Sequence, residues 1–155
     1  MKLIAPILAA ALMTLATAPA HAFSWMYVGE SKELIGSTGE EEGDTDFRAT
    51  CKAGGKAEIG IGAAEGVGKG EGEAVSVALA AGASALTLEG KSGKSPNFEM
   101  TAGVELQTEV DSKHAIFALL SGKGAIKVTA PFKTSWPDKG RAAATKKFVH
   151  ACFGG

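Results

Sequence analysis

The chain has 155 residues, 45% of them hydrophobic and 21% charged, with 16 basic against 17 acidic side chains and a formal net charge of −1 at pH 7. That is enough chain for one domain around one core. A balance so near neutrality excludes a general nucleic-acid binder, which needs surplus positive charge along the phosphates.

Lys2 opens the chain, followed by an apolar run from Leu3 to Leu15 that Pro6 and Thr14 interrupt. Small residues at Ala20 and Ala22 then stand at the spacing a signal peptidase reads. This pattern predicts a secretory signal peptide over residues 1–22, cleaved after Ala22. The apolar run is too short to cross a bilayer, so no membrane span is expected after cleavage. A retained anchor is the alternative. A lipid-anchored form needs a cysteine where Phe23 stands. The expected mature chain is 23–155, periplasmic or secreted.

Residues 23–28, Phe-Ser-Trp-Met-Tyr-Val, are apolar enough to dock as a first strand or to cap the core. The rest of the N-terminal segment, up to residue 46, holds Glu30, Glu33, Glu40, Glu41, Glu42, Asp44 and Asp46 against Lys32 alone. Such a run repels itself and has little to bury, which predicts a solvated mobile loop. A calcium site is the sharper alternative, but the loop lacks the Asp-x-Asp-x-Asp-Gly spacing and the distal bidentate glutamate.

A single β-rich domain is predicted over 47–155. Its apolar residues alternate with polar ones along Phe47–Lys52, Ile59–Ile61, Val75–Leu79, Leu86–Glu89, Phe98–Val110 and Ile126–Ala130. Alternation puts one face on a core and the other in water. Breaks fall at Gly, Ser, Asn or Pro, and Ala81-Gly82-Ala83 reads as a hairpin turn. The expected architecture is mainly β: an α+β meander of about six antiparallel strands forming an open barrel or a sandwich. An outer-membrane barrel also fits the alternation, but such barrels carry aromatic girdles, and one Tyr and two Trp are present.

The glycine-rich segment 53–74 invites a phosphate-loop reading. A Walker loop needs Gly, four residues, then Gly-Lys-Ser/Thr. Gly68-Lys69 runs into Gly70, and Gly90-Lys91-Ser92 and Gly93-Lys94-Ser95 have Ala85 and Leu88 where the first glycine belongs. Gly60-Ile61-Gly62 meets Glu65 where a dinucleotide fingerprint requires its third glycine. Residues 63–73 are therefore expected to be a mobile hairpin loop between the Ile59 and Val75 strands, and no cofactor is expected.

Two segments leave the period of two. His114–Leu120, with Asp111 or Ser112 as cap and Gly122 as stop, predicts a short helix. Gly140–Phe153, with Ala144, Phe148 and Cys152 at i, i+4 and i+8, predicts an amphipathic C-terminal helix capped by Asp138 and ended by Gly154. Cys51 and Cys152 are the only cysteines. In an exported chain they read first as a disulfide fastening that helix to the sheet; a metal pair or two free thiols are the alternatives. Two cysteines 101 positions apart with no paired histidine make a poor zinc site, so no metal is expected.

The segment Pro131–Arg141 looks most like a binding site. Phe132, Lys133, Trp136, Lys139 and Arg141 are candidate binding residues, since exposed aromatic and arginine clusters form hot spots. The alternative is that Trp136 covers one end of the core while the cations are solvated. His114 and His150 are candidate bases, yet no Gly-x-Ser-x-Gly or Ser-x-x-Lys accompanies them. No catalytic residue is assigned.

The leader, the early-strand cysteine, Phe117-Ala118-Leu119-Leu120-Ser121-Gly122 ahead of a strand, and Ala142-Ala143-Ala144 before a closing Phe148-Val149-His150-Ala151-Cys152 resemble small proteobacterial periplasmic β-domain proteins of the invasion-associated locus B type. The Trp-then-Cys opening and additional cysteines of that group are missing from this chain. The resemblance implies an exported, non-catalytic envelope protein and transfers no functional residue. The functional expectation is an exported binding module with a protein or envelope partner. The alternatives are an inhibitor of a cell-wall-degrading enzyme and a small histidine-dependent hydrolase.

Overall fold

The computed structural model describes residues 22–38 and 43–154. The predicted signal peptide, apart from its last residue, and residues 39–42 of the acidic segment lie outside them. In chain order the elements are β1 (Ser24–Val28), β2 (Glu33–Ser37), β3 (Phe47–Lys52), β4 (Lys56–Ile61), β5 (Ala74–Ala81), β6 (Ser84–Lys94), α1 (Phe98–Thr101), β7 (Val104–Asp111), α2 (Ala115–Ser121), β8 (Ile126–Thr129), β9 (Lys133–Trp136) and α3 (Arg141–Phe153). The mainly β architecture matches the expectation, with nine strands in place of about six. The additional strands are β1, β2 and β9.

β2 corrects the picture of an unbroken acidic loop. Leu34 is buried, and Gly36 makes room for the Trp25 ring, whose Cζ3 lies only 2.7 Å from where a Cβ would stand. Two such positions are enough to draw Glu33–Ser37 into the sheet while its one acid, Glu33, stays on the other face. The expected strand from Phe98 is corrected too. Residues 98–101 form α1, Ala102 closes it in the left-handed conformation, and β7 starts at Val104. The cap of α2 is His114, not Asp111 or Ser112: its Nδ1 accepts from the Ile116 N–H at 3.2 Å. Gly140, not the Asp138 side chain, precedes α3.

All strands join one antiparallel sheet in the order β1-β2-β3-β4-β7-β6-β5-β8-β9. This is not a meander. β5, β6 and β7 are consecutive neighbours, β4 lies beside β7 and β8 beside β5, so two Greek keys share the same three strands. Ala81 and Ser84 are paired across a two-residue turn with Gly82 at φ 58°, as the sequence predicts.

The glycine segment is not a hairpin loop, because β4 and β5 do not pair. It crosses past the two strands between them. The Val67 N–H donates to Val104 O of β7 at 2.9 Å, and the Gly70 N–H donates to Ser92 Oγ of β6 at 2.8 Å. Val67 is buried. These anchors hold the segment down where composition alone suggested mobility.

The sheet curls into a half-barrel. In-register partners share a face, so Phe47 with Ile61, Ala49 with Ile59, and Cys51 with Ala57 and Val110 line the inner side. α3 packs there against β1, β2 and β4, with α2 beside it. Trp25 and Trp136, from the two edge strands, meet edge to face at 5.9 Å, and Trp25 Nε1 donates to Pro137 O at 2.7 Å. Among the described residues no helix is long and apolar enough to cross a membrane.

Candidate functional site

The proline-bounded segment divides between interior and surface. Trp136 and Arg141 are both fully buried. Trp136 packs on Phe47 at 5.7 Å, within the cluster that also holds Trp25. Arg141 works inside the fold: Nε donates to Leu120 O at 3.0 Å, and Nη2 donates to Gly122 O and Gly124 O, both at 2.9 Å. Burial lowers its pKa, and the nearby Asp138 charge opposes that shift. The guanidinium thus satisfies carbonyls at the end of α2 and in the turn that follows. Phe132 is half-buried over Gly62, and Lys133 and Lys139 are exposed. The five candidate residues therefore do not form one exposed patch.

The titratable groups named from sequence are mostly engaged in structure. His114 caps α2. Asp44 Oδ1 accepts from Ser95 Oγ at 2.7 Å, and Asp46 Oδ2 accepts from the Thr38 N–H at 3.1 Å. Glu42 lies outside the described residues. Among those described, no three His, Cys, Asp or Glu side chains gather where they could hold a metal ion. In the glycine segment, backbone N–H groups do converge on an anion, and it is the chain's own. The Glu73 carboxylate accepts from the Lys69 N–H and from the Glu71 N–H, the latter at 3.0 Å. Those donors, Lys69 first, hold its pKa below the usual carboxylate value.

Cys51 and Cys152 are bonded, with Cα atoms 5.5 Å apart. The bond fixes the last turn of α3 to β3. Arg141, Ala144, Thr145, Phe148 and Cys152 make up the face of α3 that looks into the half-barrel. A second stripe runs beside it: Ala142, Lys146, Val149 and Phe153, at spacings of four, three and four.

That second stripe, joined by His150, forms one wall of an open cleft of about 770 Å³. Phe117, Ala118 and Ser121 of α2 form the other. The floor is aromatic, with Phe153 edge to face on Phe117 at 5.3 Å, and the buried Phe148 backs it from the core, stacked on Phe117 at 6.0 Å. Apolar recesses of this size with a few polar groups at the rim are the usual form of small-molecule sites. Sequence reasoning found one stripe of α3 and missed the other. The available signal was Val149 and Phe153 one step round the helix from Phe148 and Cys152, too many apolar positions for a single face.

No protein family, curated protein or solved structure matches the chain.

Proposed function

We propose that this chain is an exported, non-catalytic binding module, periplasmic or secreted, and that its binding site is the cleft between α2 and α3. The observation that carries this reading is the second apolar stripe of α3. The core uses one face of the helix, and Val149 and Phe153 line an open recess beside it. A disulfide from Cys152 in the last turn of α3 to Cys51 of β3 suits an oxidising compartment. Of the residues named from sequence, Lys133 and Lys139 remain as exposed cations outside the cleft.

The test uses residues 23–155 and the neutral fluorophore N-phenyl-1-naphthylamine. Saturable fluorescence enhancement is expected, and Ala142→Trp, an exposed wall position filled with bulk, should abolish it at an unchanged melting temperature. No enhancement with the wild type, or equal enhancement with Ala142→Trp, removes the cleft as the site.

A further inference from the structure

The chemistry of the cleft walls narrows the ligand, granting that the cleft is the binding site. α2 carries no charged side chain, and α3 carries Arg141, Lys146 and Lys147 with no acid. Across residues 112–154 the only acid is Asp138. Its carboxylate is already engaged, accepting from the Gly124 N–H at 2.9 Å. Against it stand Lys113, Lys123, Lys127, Lys133, Lys139, Lys146 and Lys147, in addition to the buried Arg141. Among the described residues Lys146 makes no ion pair.

A recess with an aromatic floor and an unpaired cation on its rim matches a molecule with an apolar body and one negative end. We infer that the cleft takes a monomeric single-chain amphiphile with an anionic head group. The alkyl chain lies along Phe117, Val149 and Phe153, and the head group sits beside Lys146 and His150. Docking onto a lipid surface is disfavoured by shape. Bilayer-seeking proteins present protruding apolar side chains, whereas these rings line a hollow. Among the described residues the large apolar side chains that do protrude, Met26 and Met100, are on β1 and α1 instead.

The experiment displaces N-phenyl-1-naphthylamine with three C12 probes, each kept below its aggregation concentration: dodecanoate, dodecanol and dodecyltrimethylammonium. Dodecanoate should displace the fluorophore at concentrations at least tenfold lower than dodecanol, and the cationic probe should be weakest. Lys146→Met keeps the aliphatic stem and removes the charge, so dodecanoate should fall to the level of dodecanol while dodecanol is unaffected. Added salt should narrow the same gap. Equal displacement by dodecanoate and dodecanol, or no displacement by any probe while the fluorophore still binds in a manner sensitive to Ala142→Trp, overturns the inference and leaves the cleft standing. Sedimentation with phosphatidylglycerol vesicles, lost on Lys146→Met and unaccompanied by monomer binding, also overturns it in favour of a membrane surface. Failure of the fluorophore itself is the separate result that removes the cleft.

Discussion

Arg48 sits on the outer face of β3, yet it is only 7% exposed, and its partner Glu105 is fully buried. Nη2 of Arg48 donates to Glu105 Oε1 at 2.6 Å and to Glu58 Oε1 at 3.2 Å, while Nη1 donates to Thr50 Oγ1 at 2.6 Å. Gly60 makes this possible: a Cβ there would stand 2.7 Å from the Glu105 Cδ. Alternation in the sequence placed Arg48 on the outward face correctly. It did not show that the face is covered at this point, because the covering carboxylate comes from 57 residues away. Glu58 reports on the network. Burial alone would raise its pKa, but hydrogen bonds and charge from Lys52 and Arg48 outweigh burial and hold it below its usual 4.5. A depressed carboxylate stabilises the fold fully above its unfolded pKa, and that contribution is lost as pH falls through the folded value. Asp46 runs the other way, since burial raises it against the Thr38 N–H. The difference between wild type and Glu58→Gln therefore isolates the term. In urea midpoints from pH 7 to pH 3, the wild type should be the more stable near neutrality and the gap should close on acidification. A gap of constant size across that range would mean that Glu58 is not held by its cations.

At the scale of the element, α3 depends on its last turn. Its core stripe was readable from Ala144, Phe148 and Cys152, and so was the cysteine bond, because the leader-like N-terminus reads as that of an exported chain, where two thiols pair first with each other. Its cap was not readable. Asp138 stood in the right place, but its carboxylate is taken by the Gly124 N–H and leaves the helix start to Gly140 in the left-handed conformation. The disulfide closes a loop of sequence separation 101, for which restriction of the unfolded chain is worth roughly 4–5 kcal/mol. Cys51→Ala/Cys152→Ala should lose stability of that order in guanidinium unfolding. The variant should also bind N-phenyl-1-naphthylamine more weakly, since Phe153 adjoins Cys152 and forms part of the cleft wall. Unchanged stability would show that the helix is held by packing alone. Lost stability with unchanged probe binding would show that Phe153 keeps its place without the bond.

At the scale of the molecule, β3 to β8 were legible from alternation, β2 and β9 were not, and the strand order was not. Alternation states which face a residue takes but not which strand lies beside it. The connections 62–73 and 112–125 each cross three strand spacings, about 14 Å at ~4.8 Å apiece. A glycine-rich linker of twelve residues spans that distance as readily as it turns a hairpin, so composition could not distinguish the two. The curl of the sheet follows from the same arrangement. Closure is made by side chains: Phe23 just before β1 and Trp25 within it, Phe47 from β3, and Trp136 from the far edge. Phe47 belongs to the inner face together with Ile61 and Leu106, so the seam and the core share a residue rather than meeting at a boundary. Opening the seam should therefore require melting the core. Both tryptophans of the chain lie in the seam, which makes intrinsic fluorescence a probe of closure and far-UV circular dichroism a probe of the whole sheet. Their thermal and urea transitions should coincide, as two-state unfolding of one domain demands. A fluorescence transition that precedes loss of the sheet signal would mean that β1 and β9 part while the Greek keys persist, and that the half-barrel is latched rather than continuous.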